Sequence, residues 1–238
     1  MNDSVDADSL IERSQAVLSL VQHAARRSAR SQSVQVIAVS KTRTALEMRR
    51  AYEAGLTHFG ENRVQEFLAK MQELQDLPLV WHFIGQLQTN KVKDILPHVQ
   101  FIHSLDRLSL AQEIQKQATR LGISSVQCFI EVNIGAETTK AGVLADDLLS
   151  FAEQLRVFPA ICVVGLMTVA PPYPEPERVR AVFQELAQAA EKLHKHDLFG
   201  VSHPLLSMGM SGDYEIAVEE GADYVRIGTA LFGARASV

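Results

Sequence analysis

Cysteine is scarce in this chain of 238 residues, which holds only two. Cys128 and Cys162 each lie inside an apolar run (Val-Gln-Cys-Phe-Ile and Ile-Cys-Val-Val), where a free thiol behaves as a small hydrophobe. A disulfide framework is thereby excluded, and a reducing compartment fits the composition. No apolar stretch approaches the roughly 20 residues of a membrane-spanning helix. The N-terminus, Met-Asn-Asp-Ser-Val-Asp-Ala-Asp, is acidic where a secretory signal would be basic, so the expected location is cytoplasmic. Charge of one sign is nowhere concentrated. The 23 basic and 28 acidic side chains leave a net charge of −5 and are interspersed, which argues against a nucleic-acid or anionic-membrane surface. No glycine- or serine-rich linker divides the sequence. A chain this long buries roughly 70–75% of its unfolded surface and needs no structural staple. One domain over 1–238 is expected, with an N-terminal helical segment in 1–33 and the main body over 34–235.

What is present is an alternation of two periods. Short runs rich in β-branched residues occur at 34–40, 57–60, 79–84, 100–105, 126–134, 161–169, 205–209 and 223–228. Helical spacing fills 44–54, 63–76, 89–96, 107–121, 145–157, 176–195, 213–220 and the segment from 229. Near-continuous apolar strands alternating with amphipathic helices indicate a parallel sheet covered by helices. Eight such units fit an α/β fold of the closed (β/α)8 TIM-barrel type better than an open sheet. Residues 8–30 read as an extra helix, with Leu10, Ile11, Val17, Leu18 and Val21 forming the face that packs on the barrel or caps one end. The prolines up to Pro176, followed by Glu177, mark a helix start.

In such a barrel, functional groups collect where the strands end, and a phosphate site often forms after strands seven and eight. Strand seven runs into Ser207-Met208-Gly209-Met210-Ser211-Gly212-Asp213, where glycines admit close backbone approach and Ser211 is placed to cap the next helix. Strand eight runs into Arg226-Ile227-Gly228-Thr229-Ala230. Each segment alone is ordinary turn-and-cap chemistry. Together they aim two helix starts at one spot, an anion site. Lys41 closes strand one at the same rim. It is either the first solvated residue after the core or an amine able to form a Schiff base. A lysine opposite a phosphate cradle points to a phosphorylated aldehyde or ketone.

Other residues admit two readings. His82 alternates with Trp81 and Phe83 and is either a barrel-interior histidine or a ligand contact. Glu131 either faces the site or pairs with a barrel lysine. Arg226 either meets a ligand or forms a structural salt bridge with Glu131 or Asp223. His194 and His196 close a long helix, with no third ligand at metal-binding spacing. Met208 and Met210 read as packing.

The motifs Val39-Ser40-Lys41-Thr42, Gly60-Glu61-Asn62-Arg63-Val64-Gln65-Glu66, Trp81-His82-Phe83-Ile84-Gly85 and Leu87-Gln88-Thr89-Asn90-Lys91 occur in that order. Val132-Asn133-Ile134 with Glu137, Lys140 and Gly142 follows, then Gly165-Leu166-Met167. Leu206-Ser207-Met208-Gly209-Met210-Ser211 and Val225-Arg226-Ile227-Gly228-Thr229 with Phe232-Gly233 complete the series. The chain resembles the pyridoxal phosphate homeostasis protein family, whose barrel is like the N-terminal domain of alanine racemase. The resemblance implies that Lys41 holds pyridoxal 5′-phosphate as a Schiff base and that Ser211, Gly228 and Thr229 surround its phosphate. It also implies that Arg226 faces the pyridine nitrogen, with Asn62 and His82 along the ring. Lys140 is the competing lysine. The family is not known for turnover, so the implied role is vitamin B6 homeostasis, holding the cofactor and passing it to apo enzymes that use it. The chain departs mildly at Thr42-Arg43-Thr44, where many relatives carry a basic residue and a proline. A monomer is expected. One alternative is a racemase or decarboxylase that uses the same cofactor; such relatives add a C-terminal domain, whereas this sequence stops at Val238. Another is a Schiff-base aldolase acting on a sugar phosphate.

Overall fold

The structure, a computed structural model, describes residues 2–28, 30, 33–135, 137 and 140–234. The expected barrel limit at 235 and positions 29, 31 and 32, which join the first helix to the barrel, lie outside the described residues. Helix α1 spans Asn2–Ala25, shifted toward the N-terminus from the 8–30 expected. It ends early because the amides of Arg27 and Ser28 turn back to the carbonyls of Ala24 and Ala25, tightening the last turn. The barrel strands are β1 (Gln35–Val39), β2 (His58–Glu61), β3 (Val80–Phe83), β4 (Phe101–Leu105), β5 (Val126–Asn133), β7 (Ile161–Met167), β8 (Leu205–Ser207) and β9 (Tyr224–Ile227). All pair in parallel, in the order β4-β3-β2-β1-β9-β8-β7-β5, and a β4–β5 pairing closes the ring. A short β6, Val143–Leu144, pairs with the end of β5. Two apolar residues carry no readable period, so this strand had no sequence signal.

The strands are buried on both faces, which is why they read as continuous apolar runs. Outside the ring they pack against α2 (Ala45–Glu53), α3 (Val64–Glu73), α4 (Val92–Ile95), α5 (Leu108–Leu121), α6 (Leu148–Leu155), α7 (Pro176–Lys195), α8 (Tyr214–Glu219) and α9 (Thr229–Phe232). Helix α5 shows the logic: Leu110, Ala111, Ile114, Gln117 and Ala118 face inward, and Gly122 ends it in the left-handed region at φ 68°. The expected helices at 89–96 and 145–157 each begin as a 3-10 turn before continuing as α4 and α6. Pro176 opens α7 as expected. Gly165 is required in β7, because a Cβ there would collide with the Leu205 backbone of β8.

Inside the ring, Ile37, Phe129, Val164, Met167 and Tyr224 form a small separate apolar cluster. Helix α1 covers the outside of the barrel against α2, α8 and α9, burying Leu10, Val17 and Val21 for about 1.5–3 kcal/mol each. Its Arg13 Nε donates to the Leu231 carbonyl of α9 at 2.7 Å.

Candidate functional site

The strand C-termini meet at a cavity of about 460 Å³, lined by Val39, Lys41, Asn62, Ile84, Gly85, Val169, Met210, Ser211, Gly212, Arg226, Gly228 and Thr229. Six of the seven residues named from the sequence therefore share one space: Lys41, Asn62, Ser211, Arg226, Gly228 and Thr229. The seventh, His82, does not line it. It is fully buried on the barrel axis, with Nδ1 2.9 Å from His103 Nε2 and Nε2 2.9 Å from His58 Nδ1. Its register partner on β2 is Gly60, and alternation along β3 turns it away from the face that Trp81 and Phe83 present to the outer core.

The backbone that carries Lys41 is held from beneath. Ser40 Oγ donates to Glu61 Oε1 at 2.6 Å, and Lys70 Nζ donates to the same oxygen at 2.7 Å and to the Ser40 carbonyl at 2.7 Å. Glu66 Oε2 accepts from the Thr42 amide at 2.7 Å and from Lys70 at 3.3 Å. Thr42 is left-handed at φ 64°, a conformation costly for a β-branched residue. Thr44 then starts α2 with a capping box to Glu47. Arg43, two residues after Lys41, turns away from it: it donates to the Gly233 carbonyl at 2.6 Å, pairs with Glu47 at 3.3 Å and lies over Phe232. Burial pushes Glu61 above the usual carboxylate range even with Lys70 and Ser40 bonded to it.

The loop after β8 differs from expectation in one respect. Asp213, not Ser211, occupies the cap position of α8. Ser211 Oγ instead accepts from the Gly228 and Ala230 amides, both at 3.2 Å, and so caps α9 from across the rim. The amides of Ser211, Gly212 and Thr229 make no hydrogen bond among the described residues. They are donors open to an anion. Gly209, at φ 89°, is needed below them, since a Cβ would stand 2.5 Å from Ala217 Cβ.

Arg226 is 4% exposed and anchored by two bonds, Nη1 to Ser207 Oγ at 2.8 Å and Nη2 to the Thr168 carbonyl at 2.8 Å. It forms no salt bridge with Glu131 or Asp223. Burial brings its guanidinium down to about 10, so it stays charged at neutral pH. Glu131 accepts from Gln86 at 2.6 Å and has no lysine partner; burial, then the Asp106 charge, raises it to about 7. Lys140 borders an adjoining cavity of about 560 Å³ with Tyr173, Asp213 and several prolines, its amine 3.0 Å from Glu137. Met208 is buried, whereas Met210 borders both cavities. Among the described residues no cluster of metal ligands exists, and no helix is long and apolar enough to cross a membrane.

These residues fit pyridoxal phosphate: a lysine at the mouth, unbonded amides and two hydroxyls for a phosphate, a fixed guanidinium, and the buried, unpartnered Asn62 Oδ1 as an acceptor. The family model for the alanine racemase N-terminal domain matches residues 16–236. A pyridoxal phosphate homeostasis protein of Aquifex aeolicus is 47% identical over 225 residues, covering 94% of this chain and 97% of that protein. PipY of Synechococcus elongatus, solved with PLP bound, is 38% identical with a TM-score of 0.82, covering 94% of this chain and 100% of that one. Alanine racemase of Corynebacterium glutamicum, at 15% identity and a TM-score of 0.68 over 94% of this chain and 60% of that one, shares the fold. The motif series, the closed barrel and these likenesses converge, and the chain belongs to the pyridoxal phosphate homeostasis protein family, built on the alanine racemase N-terminal barrel.

Proposed function

We propose that this chain binds pyridoxal 5′-phosphate at the rim cavity, through a Schiff base to Lys41, and serves its homeostasis by holding it and releasing it to apo enzymes. The observation that carries the reading is the convergence of Lys41, the open amides of Ser211, Gly212 and Thr229, and Arg226 on one space. When bound, the cofactor supplies an aldehyde for the amine and an electron-accepting ring. The protein's part is placement. Lys41 is presented by the braced Ser40–Thr42 backbone, and Ser211 and Thr229 offer hydroxyls where a phosphate dianion meets amides. Arg226 keeps its proton, so it donates to a ring nitrogen placed against it and does not protonate it. A ring nitrogen left unprotonated withdraws electrons weakly.

The same lining favours a carrier over a racemase or decarboxylase. Lys41 and Arg226 are the only ionisable side chains on the cavity among its described residues, which leaves no second acid or base for proton transfer. The relatives' names agree, since they denote homeostasis and no reaction. A sugar-phosphate aldolase would need no cofactor. An absorption spectrum before and after borohydride reduction, with mass mapping of the modified lysine, tests the assignment. A visible band that reduction abolishes, with the adduct on Lys41, is expected. A colourless protein, or an adduct on Lys140 alone, overturns it.

A further inference from the structure

One set of buried ionisable groups has no part in that account. His58, His82 and His103, on β2, β3 and β4, are linked ring to ring at 2.9 Å and 2.9 Å. His103 Nδ1 lies 3.0 Å from Ser207 Oγ, which in turn accepts from Arg226 Nη1 at 2.8 Å. The chain thus crosses the barrel from half-buried His58, at the start of β2, to the arginine that borders the rim cavity. His82 stacks on Phe101 at 4.7 Å and 5°, and His103 on Phe129 at 4.3 Å and 19°. Neither ring is free to turn toward other partners.

The proton positions follow from one fixed end. A guanidinium only donates, so Ser207 Oγ is an acceptor from Arg226. Ser207 is wholly buried, and a hydroxyl hydrogen left unbonded there would cost about 1–3 kcal/mol. Its only acceptor among the described residues is His103 Nδ1. His103 therefore carries its hydrogen on Nε2 and donates to His82 Nδ1. His82 in turn carries its hydrogen on Nε2 and donates to His58 Nδ1. Every bond runs the same way, from Arg226 toward His58. Burial holds His82 and His103 well below the usual imidazole range, so both stay neutral.

We infer that His103, acting through Ser207, is a positioning residue for Arg226, and that the histidine chain is locked in a single tautomeric sense which fixes the guanidinium at the cavity. With Nη1 committed to Ser207 and Nη2 to the Thr168 carbonyl, rotation of the fork about its stem is blocked, and its remaining N–H groups keep one heading. Neutral imidazoles do this without placing a second charge beside the arginine, and a carboxylate in the same position would draw it into an ion pair. The inference deepens the proposed role of the cavity and rests on that reading only for its cofactor readout.

The test begins without cofactor. Two-bond proton–nitrogen correlation spectra of histidine-labelled protein at neutral pH are expected to show His103, His82 and His58 all protonated on Nε2, with slowly exchanging Arg226 N–H signals. In Ser207→Ala the His103 tautomers become mixed, and the Arg226 N–H groups exchange at least tenfold faster. Two variants at 103 then separate positioning from packing. In His103→Gln the amide accepts from Ser207 and donates to His82, so slow exchange and pyridoxal phosphate affinity stay within about threefold of the parent. In His103→Leu, which keeps volume alone, affinity falls at least tenfold and the absorption band moves. Mixed tautomers in the parent, or unchanged Arg226 exchange in Ser207→Ala, overturn the inference. So does a folded His103→Leu protein with the parent's exchange, affinity and spectrum. If the parent fails to take up pyridoxal phosphate, the proposed function falls, while the tautomer and exchange measurements still decide this inference.

Discussion

Replacing Lys70 by methionine removes a charge from beneath the lysine-bearing turn while leaving helix α3 with a good helix former. Lys70 spends its three N–H groups on Glu61 at 2.7 Å, the Ser40 carbonyl at 2.7 Å and Glu66 at 3.3 Å. Its side chain is 9% exposed and that of Glu61 is 0% exposed. In Lys70→Met, Glu61 keeps only the Ser40 hydroxyl, and its Oε2 already has no partner. Stranding one member of a buried pair costs about 3–5 kcal/mol. The carboxylate can escape part of that by taking up a proton, since burial already raises its pKa. The sign follows: with the folded value above the unfolded one, the folded state binds the extra proton, so stability falls as pH rises through the window between them. The expected loss is therefore about 3–5 kcal/mol on the alkaline side, where Glu61 is ionised, and smaller on the acid side, where it takes up a proton. At about 2–4 °C per kcal/mol for a domain of this size, thermal melts resolve it. The double variant Lys70→Met/Glu61→Leu, with neither charge left, should recover most of the loss. A Lys70→Met protein within 1 °C of the parent at pH 8, or a deficit that does not change with pH, would refute the reasoning.

Three further outcomes are expected. A Cβ at Gly228 stands in ordinary contact, 3.5 Å from Val39, so Gly228→Val should melt near the parent yet lose about tenfold in cofactor affinity, some 1.4 kcal/mol, by crowding the amides; spectrophotometric titration with unchanged affinity would place the phosphate elsewhere. Glu131 is raised from 4.5 to about 7, so its contribution to stability is lost as pH rises between those values, by at most about 1.4 kcal/mol per pH unit; Glu131→Gln should flatten that part of the stability–pH curve, and identical curves by urea denaturation would contradict it. With no second acid or base on the cavity, alanine racemisation should stay within about tenfold of free pyridoxal phosphate with lysine, since one general acid or base is worth about 10²–10⁴-fold; polarimetry showing a rate far above that would favour an enzyme.

The rim was legible because topology, not any single motif, brings it together. Lys41, Ser211 and Gly228 follow three different strands, and in a parallel barrel all strand ends share one face. The bracing cluster was not legible. Lys70 looks like any polar residue of an amphipathic helix, and only the packing of α3 on β2, which brings the amine to Glu61 and the Ser40 carbonyl, shows that it is buried. His82 could not be settled from its own strand, because alternation says which residues share a face and not which face is inside. The signal that existed was a spacing. His58 and His82 are 24 residues apart, and His82 and His103 are 21 apart, about one strand–helix unit each, so three neighbouring strands carry histidine, each stepped two register positions beyond the last. Ser211 was assigned to the helix that follows it, since local capping is the commoner use of serine; its reach to Gly228 depends on the closed ring. The left-handed Thr42 had no signal, because a β-branched residue is the last choice for that region.

Strands β1 and β9 are neighbours in the ring, although nearly the whole described chain lies between them. During synthesis the first strand must wait, one edge unpaired, until the last emerges from the ribosome. Pairings this distant in sequence are slow to form, and an open parallel edge invites association with other chains. Lys41 leaves from one side of this seam and Gly228 from the other, so a nascent or locally opened molecule has half a rim on each edge. A ligand that touches both halves binds the closed ring alone and stabilises it by about 2.7 kcal/mol at a hundredfold excess over its Kd. The supply of that ligand then sets what share of the molecules stays closed, which ties the open, association-prone population to the abundance of the small molecule.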